Sequence, residues 1–138
     1  MSRLLGIDYG SRRVGFAVSD LDDAVETYGR LFGATLEHRD AVAEQGVEAA
    51  SVLVGASRIE LLVPTSDDTP VGRFLAKRGP GMHHLCLEVD DILGMLAQLK
   101  EKGFRLINEE PRTGADGKKY AFIHPEATGG VLVELYEL

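Results

Sequence analysis

Two adjacent histidines, His83 and His84, open an apolar run that ends in Asp90 and Asp91 (GMHHLCLEVDD, residues 81–91). Imidazole serves both proton transfer near neutral pH and the binding of divalent metals. Neighbours in a strand point to opposite faces, so only one of the pair can serve a given centre. Two glutamates keep similar company: Glu60 in IELL and Glu134 in VELY, each flanked by apolar residues. A carboxylate in such a strand is costly to bury without a partner. Either alternation turns it out to water, or it faces a site that uses it. Glu60, His84 and Glu134 converging from different strands would suit a divalent cation with open positions for substrate. Taken singly, a strand histidine is more often a hydrogen-bonded structural group.

The elements that must position these groups follow from periodicity. Residues 14–18 read as a buried strand. Ser19 caps a helix, with Asp22 as its capping-box partner. Leu21, Ala24, Val25, Tyr28, Leu31 and Phe32 recur at helical spacing until Gly33 stops them. Strands are expected at 35–39, 47–55 and 56–64, with a polar loop at 41–46. Residues 65–81 form a connector in which Thr69 caps a short helix and Pro70 takes its first position. The order then repeats: a strand at 84–89, a helix capped by Asp90 and stopped by Gly103, a strand at 104–108, a loop at 109–119, and strands at 120–124 and 131–137.

This near-repeat is measurable. Val18 aligns with Val89, an offset of 71 (89 − 18), and Glu60 with Glu134, an offset of 74 (134 − 60). The drift fits the longer second loop. A duplicated βαβββ unit is the simplest account, in an α+β fold whose two modules form an open curved mixed sheet. One domain is expected, with an atypical segment at 1–13, module one at 14–64, the connector at 65–81 and module two at 82–138. A cleft lined by strands of both modules is the expected ligand site. The offset of 71 also sets Arg13 against His84. Arginine stays protonated and cannot ligate a metal.

Composition narrows the classes of function. The chain has 138 residues, a formal net charge of −7 and a pI near 5.0, which argues against unselective binding to nucleic acid or anionic membranes. An anionic substrate needs a local basic patch, for which Arg112, Lys118 and Lys119 are candidates. The single cysteine, Cys86, excludes an internal disulfide and suits a reducing cytoplasm. It has no visible activating neighbour and reads as core. No apolar run approaches a membrane span, and no signal peptide is expected. His38 and His124 read as structural or surface groups, with His124-Pro125 shaping a turn. Gln45 lies in a loop that can reach a substrate, and Glu48 is a weaker acid/base candidate.

From about residue 14 onward the stretches VGFAVSDLDDAVETY, AEQGV, RIELLVPTSDDTPVGRFLAKRG, GMHHLCLEVDDI, INEEPRTGADGKK and FIHPEATGGVLVEL stand in order over nearly nine-tenths of the chain. In these it resembles the methylmalonyl-CoA epimerases of the vicinal-oxygen-chelate superfamily. The resemblance implies paired βαβββ modules, a homodimer, an acyl-CoA substrate, and epimerisation at C2 of methylmalonyl-CoA in propionyl-CoA metabolism. It also implies a divalent metal ion of the cobalt, manganese, nickel or zinc type, with Glu60, His84 and Glu134 as ligands. Glu134 is the candidate acid/base group and Gln45 a substrate contact. The family's first ligand, a histidine just before VG-AV, falls on Arg13. The family's acid/base glutamate after EQGV falls on Ala49, one residue past Glu48. A second reading therefore stands beside the first: a metal-poor binding module, or another enzyme of the superfamily (glyoxalase or dioxygenase type), impaired by Arg13.

The opening MSRLLGIDYGSRRVGFAVSD resembles instead the start of YqgF-type Holliday-junction resolvases, in which Asp8 would ligate a catalytic metal. The later carboxylates of such a site are not recognisable, and the chain lacks the strands an RNase-H-like fold needs. Asp8 is therefore not expected to be catalytic, and LLGID is expected to add a strand or a loose tail.

Overall fold

The computed structural model describes residues 7–114 and 116–137, with side chains from residue 13 onward. Asp8 has its side chain outside the described residues, and the LLGID expectation falls largely outside them too. The elements run β1 (Ile7–Ala17), α1 (Leu21–Phe32), β2 (Thr35–Val42), β3 (Val47–Val54), β4 (Ser57–Pro64), α2 (Pro70–Arg78), β5 (Gly81–Val89), α3 (Ile92–Glu101), β6 (Arg112–Thr113), β7 (Lys119–Ile123) and β8 (Leu132–Glu137). They fall into two compact units, one covering Arg13–His83 and the other built on His84–Leu138.

Both units have one connectivity. In the first the strand order is β2-β3-β4-β1. Strand β1 runs parallel to β4, while β4, β3 and β2 are antiparallel neighbours. In the second the order is β5-β8-β7-β6, with β5 parallel to β8 and the rest antiparallel. The register carries the duplication down to single residues. Gly15 stands opposite Glu60 in the first unit, and Cys86 opposite Glu134 in the second.

The helices start one residue later than the sequence pattern suggests. Asp20, not Ser19, caps α1 by accepting from the Asp23 amide at 2.9 Å. Asp91, not Asp90, caps α3 by accepting from the Gly94 amide at 3.0 Å. At α1 the carboxylate carries charge toward the positive end of the dipole, which serine cannot; at α3 both candidates are aspartates, and the one that reaches the third amide of the helix becomes the cap. Both corrections shift by one residue, so the 71-residue offset survives them. Thr69 and Pro70 start α2 as expected, and Gly33 ends α1 at φ 65°.

Two further differences lie in the second unit. Residues 104–108 do not form a regular strand; Leu106 makes a single bridge to Ile123, and the Asn108 carboxamide accepts from the Phe122 amide at 2.8 Å. The strand role passes to Arg112–Thr113, inside the expected loop. In the first unit, β2 runs on to Val42, and a 3-10 turn over Ala43–Gln45 replaces most of the expected loop.

Each module buries a helix against one face of its sheet. Leu21 of α1 packs with Ala50, Val52 and Leu61. Ile92, Met95, Leu96 and Leu99 of α3 pack with Ala121, Ile123, Val133 and Leu135. In the first unit a smaller cluster on the opposite face, Ala17, Val47, Leu62 and Val71, seats α2. These apolar contacts decide the register, because a slip of one residue would exchange the two faces of every strand.

Candidate active site

The candidate residues occupy the sheet faces that α1 and α3 leave uncovered. On β5 and β8, Leu85, Leu87, Val133 and Leu135 alternate with His84, Cys86 and Glu134. Leu87, Val133 and Leu135 meet α3, so His84, Cys86 and Glu134 must share the other face. His84 is 4% exposed and Cys86 is fully buried. The Cys86 thiol donates to Glu134 Oε2 at 3.0 Å. Phe122 stands opposite Glu134 on β7, and its ring meets Tyr120 edge-on at 5.9 Å. The second module therefore presents imidazole, thiol and carboxylate beside an aromatic wall. Nitrogen, sulfur and oxygen donors of this kind can hold a divalent metal ion.

In the first module Glu60 lies opposite Gly15 and Ser51, on the face away from α1. Arg13, two residues along β1, places its guanidinium 3.6 Å from the Glu60 carboxylate. Next to this pair, Arg58 grips Glu37 through two hydrogen bonds of 2.6 and 3.1 Å. The hydrogen bond from Arg58 holds the Glu37 carboxyl below its ordinary range, against a smaller opposing effect of desolvation.

The remaining candidates separate cleanly. Gln45 ends the 3-10 turn before β3 and is partly buried. Gly46 follows at φ 65°, and a Cβ there would stand 2.5 Å from Thr69 Cγ2, so only glycine fits this turn. Glu48 points with Ala50 and Val52 toward the α1 side, where Arg39 binds it at 2.9 Å and also reaches Asp22. It therefore lies on the opposite face from Glu60. His83 turns away from His84 and meets the Phe74 ring edge-on at 5.1 Å. His124 caps the turn at Pro125–Thr128 by accepting from the Glu126 amide, and His38 sits exposed beside Asp40. Both therefore act as the structural or surface groups expected.

Cys86 is buried, as expected of a core cysteine, and its thiol has a partner the sequence reading did not name, the Glu134 carboxylate. The signal was present in the alternation and the repeat. Residues 84 and 86 share a face, and offsets of 71 and 74 turn the Gly15–Glu60 pairing into Cys86–Glu134.

Residues 12–122 match the family profile of the Glyoxalase/Bleomycin resistance protein/Dioxygenase superfamily. The chain is 42% identical over 123 residues to the mitochondrial methylmalonyl-CoA epimerase of Homo sapiens, spanning 88% of this chain and 70% of that protein. It is 38% identical over 127 residues to an ethylmalonyl-CoA/methylmalonyl-CoA epimerase of Cereibacter sphaeroides, covering 91% and 95% of the two chains. A solved methylmalonyl-CoA epimerase in complex with methylmalonyl-CoA and ammonium superposes with a TM-score of 0.84 at 38% identity, covering 98% of this chain and 95% of the other. The expected α+β, glyoxalase-like fold is thus the one this chain has. The chain belongs to the methylmalonyl-CoA epimerase family of the glyoxalase superfamily.

Proposed function

We propose that this chain is a methylmalonyl-CoA epimerase, an isomerase that moves a proton at C2 of its substrate through an enolate. The observation that carries the reading is the Glu134 carboxylate. It is held on the uncovered face of module two beside buried His84, in a chain with the epimerase sequence along most of its length.

The donor chemistry of His84 and Glu134 fits a divalent cation of the cobalt, manganese, nickel or zinc type. We assign Glu60, His84 and Glu134 as the residues that would hold it. A bound cation would supply Lewis-acid stabilisation of the negative charge that develops on the thioester oxygen. Glu134 takes the C2 proton, leaving an enolate. A second acid on the opposite face of C2 gives its proton to the enolate to form the other epimer, after which it and Glu134 exchange protons with water; return of the proton by Glu134 itself restores the substrate. Gln45 donates from its carboxamide to an oxygen of the substrate. The CoA phosphates face Arg112, Lys118 and Lys119 on the exposed β6–β7 hairpin, a local basic patch on an acidic chain. The protein acts as a homodimer in the cytoplasm, a setting that suits its buried, reduced cysteine.

A second reading is favoured by one observation, the Arg13–Glu60 ion pair. Here the guanidinium answers the Glu60 charge in place of a metal, and the protein is a metal-poor member of the family with impaired turnover. One experiment separates the two. A single epimer of methylmalonyl-CoA is incubated with the protein and excess divalent cation, and the opposite epimer is followed by chiral separation. Interconversion supports the first reading. Its absence under every metal, with no metal retained after dialysis, supports the second.

A further inference from the structure

We infer that Cys86 is a positioning residue for Glu134: its thiol fixes the plane of the carboxylate and so sets where the second oxygen is presented. The inference rests on the reading of Glu134 as the acid/base group. Cys86 is 0% exposed and stands directly opposite Glu134 in the parallel register, with Sγ 3.0 Å from Oε2. A glutamate side chain has three rotatable bonds, and small misplacements of a reacting group cost large factors in rate. A donor fixed in the sheet removes part of that freedom.

The duplication supplies the control. In the first module the place of Cys86 is taken by Gly15, which offers Glu60 no side chain. Glu60 is instead met by the Arg13 guanidinium at 3.6 Å. The register thus sets a thiol opposite one carboxylate and a glycine opposite the other. A permanent cation competes for every use of Glu60. A thiol is a weak donor that orients a carboxylate without adding a charge of its own.

Two measurements test this. In the first, Cys86→Ala is expected to lower kcat about tenfold while KM stays within about twofold, as for loss of an orienting contact. Cys86→Ser, which keeps a donor at this place, is expected to recover most of that loss. The second uses the fact that Cys86 is the single cysteine, so the S–H stretching band in the infrared reports it alone. Replacing the charged acceptor in Glu134→Gln is expected to move that band to higher frequency. Equal kcat in the alanine and serine variants would overturn the positioning role, whether both match the wild type or both fall alike. A band unmoved by Glu134→Gln would overturn the hydrogen bond itself. A wild type without turnover but with a shifting band would overturn the acid/base reading instead.

Discussion

Arg13 and His84 hold the same place in two copies of one unit, yet one carries a permanent charge and the other can donate a lone pair. Restoring a ligand with Arg13→His should release Glu60 and raise divalent-metal affinity at least about tenfold, a factor that supporting groups of metal sites alone can command. Metal content after dialysis checks this, and unchanged content would show that Arg13 is not the limiting group. The strand faces of Glu60, His84 and Glu134 were legible in the sequence, because the repeat separated one histidine from its neighbour and paired the carboxylates. The orientation of Glu48 was not legible in the same way. Its face depends on which side of β3 receives α1, a tertiary choice that alternation alone leaves open. The Cys86–Glu134 contact was legible only by combining both repeat offsets with parallel pairing of the first and last strands.

At the scale of elements, strands and helices long enough to show a period were readable, and short or capped features were not. Residues 104–108 carry the composition of a strand, yet they meet β7 at a single bridge, Leu106–Ile123, beside which Asn108 bonds Phe122 through both its backbone amide and its side chain. The partner strand is the two-residue β6, too short for any period to reveal. The caps moved by one residue because adjacent Ser-Asp and Asp-Asp pairs offer two candidates each, and local geometry selects the second. The N-terminus of α3 is held by Asp91 and also by Glu137, which accepts from the buried Ile92 amide at 2.8 Å. Asp91→Ala should therefore cost about 1 kcal/mol of stability in urea unfolding. The face bearing Glu60 has its own electrostatic dependence. Because Arg58 depresses the Glu37 pKa, their pair stabilises the fold above the ordinary carboxylate value of 4.5 and loses that contribution as pH falls through the lowered value. The stability difference between wild type and Glu37→Gln should shrink on acidification below 4.5, and shrink also in high salt. A difference that stays constant with pH would contradict the pairing.

Across the whole molecule, duplication is the feature that organises both fold and chemistry. Each module buries one face of its sheet under a helix and carries its candidate polar groups on the other, which in the first unit also seats α2. Among the described residues no helix is long and apolar enough to cross a membrane. Leu31, Phe32 and Leu36 are 67%, 58% and 45% exposed at the end of α1 and the start of β2. A homodimer of the kind proposed would cover such a surface, and sedimentation equilibrium should give twice the mass of 15.0 kDa. The role proposed for Glu134 is exchange of the C2 proton of methylmalonyl-CoA. The direct measurement is deuterium incorporation at C2 in heavy water, followed by proton NMR in the presence of excess divalent cation. Wild-type protein should exchange the C2 proton, and Glu134→Gln should slow that exchange by at least about 100-fold. No exchange by the wild type with any metal, or equal exchange by the variant, would contradict the account.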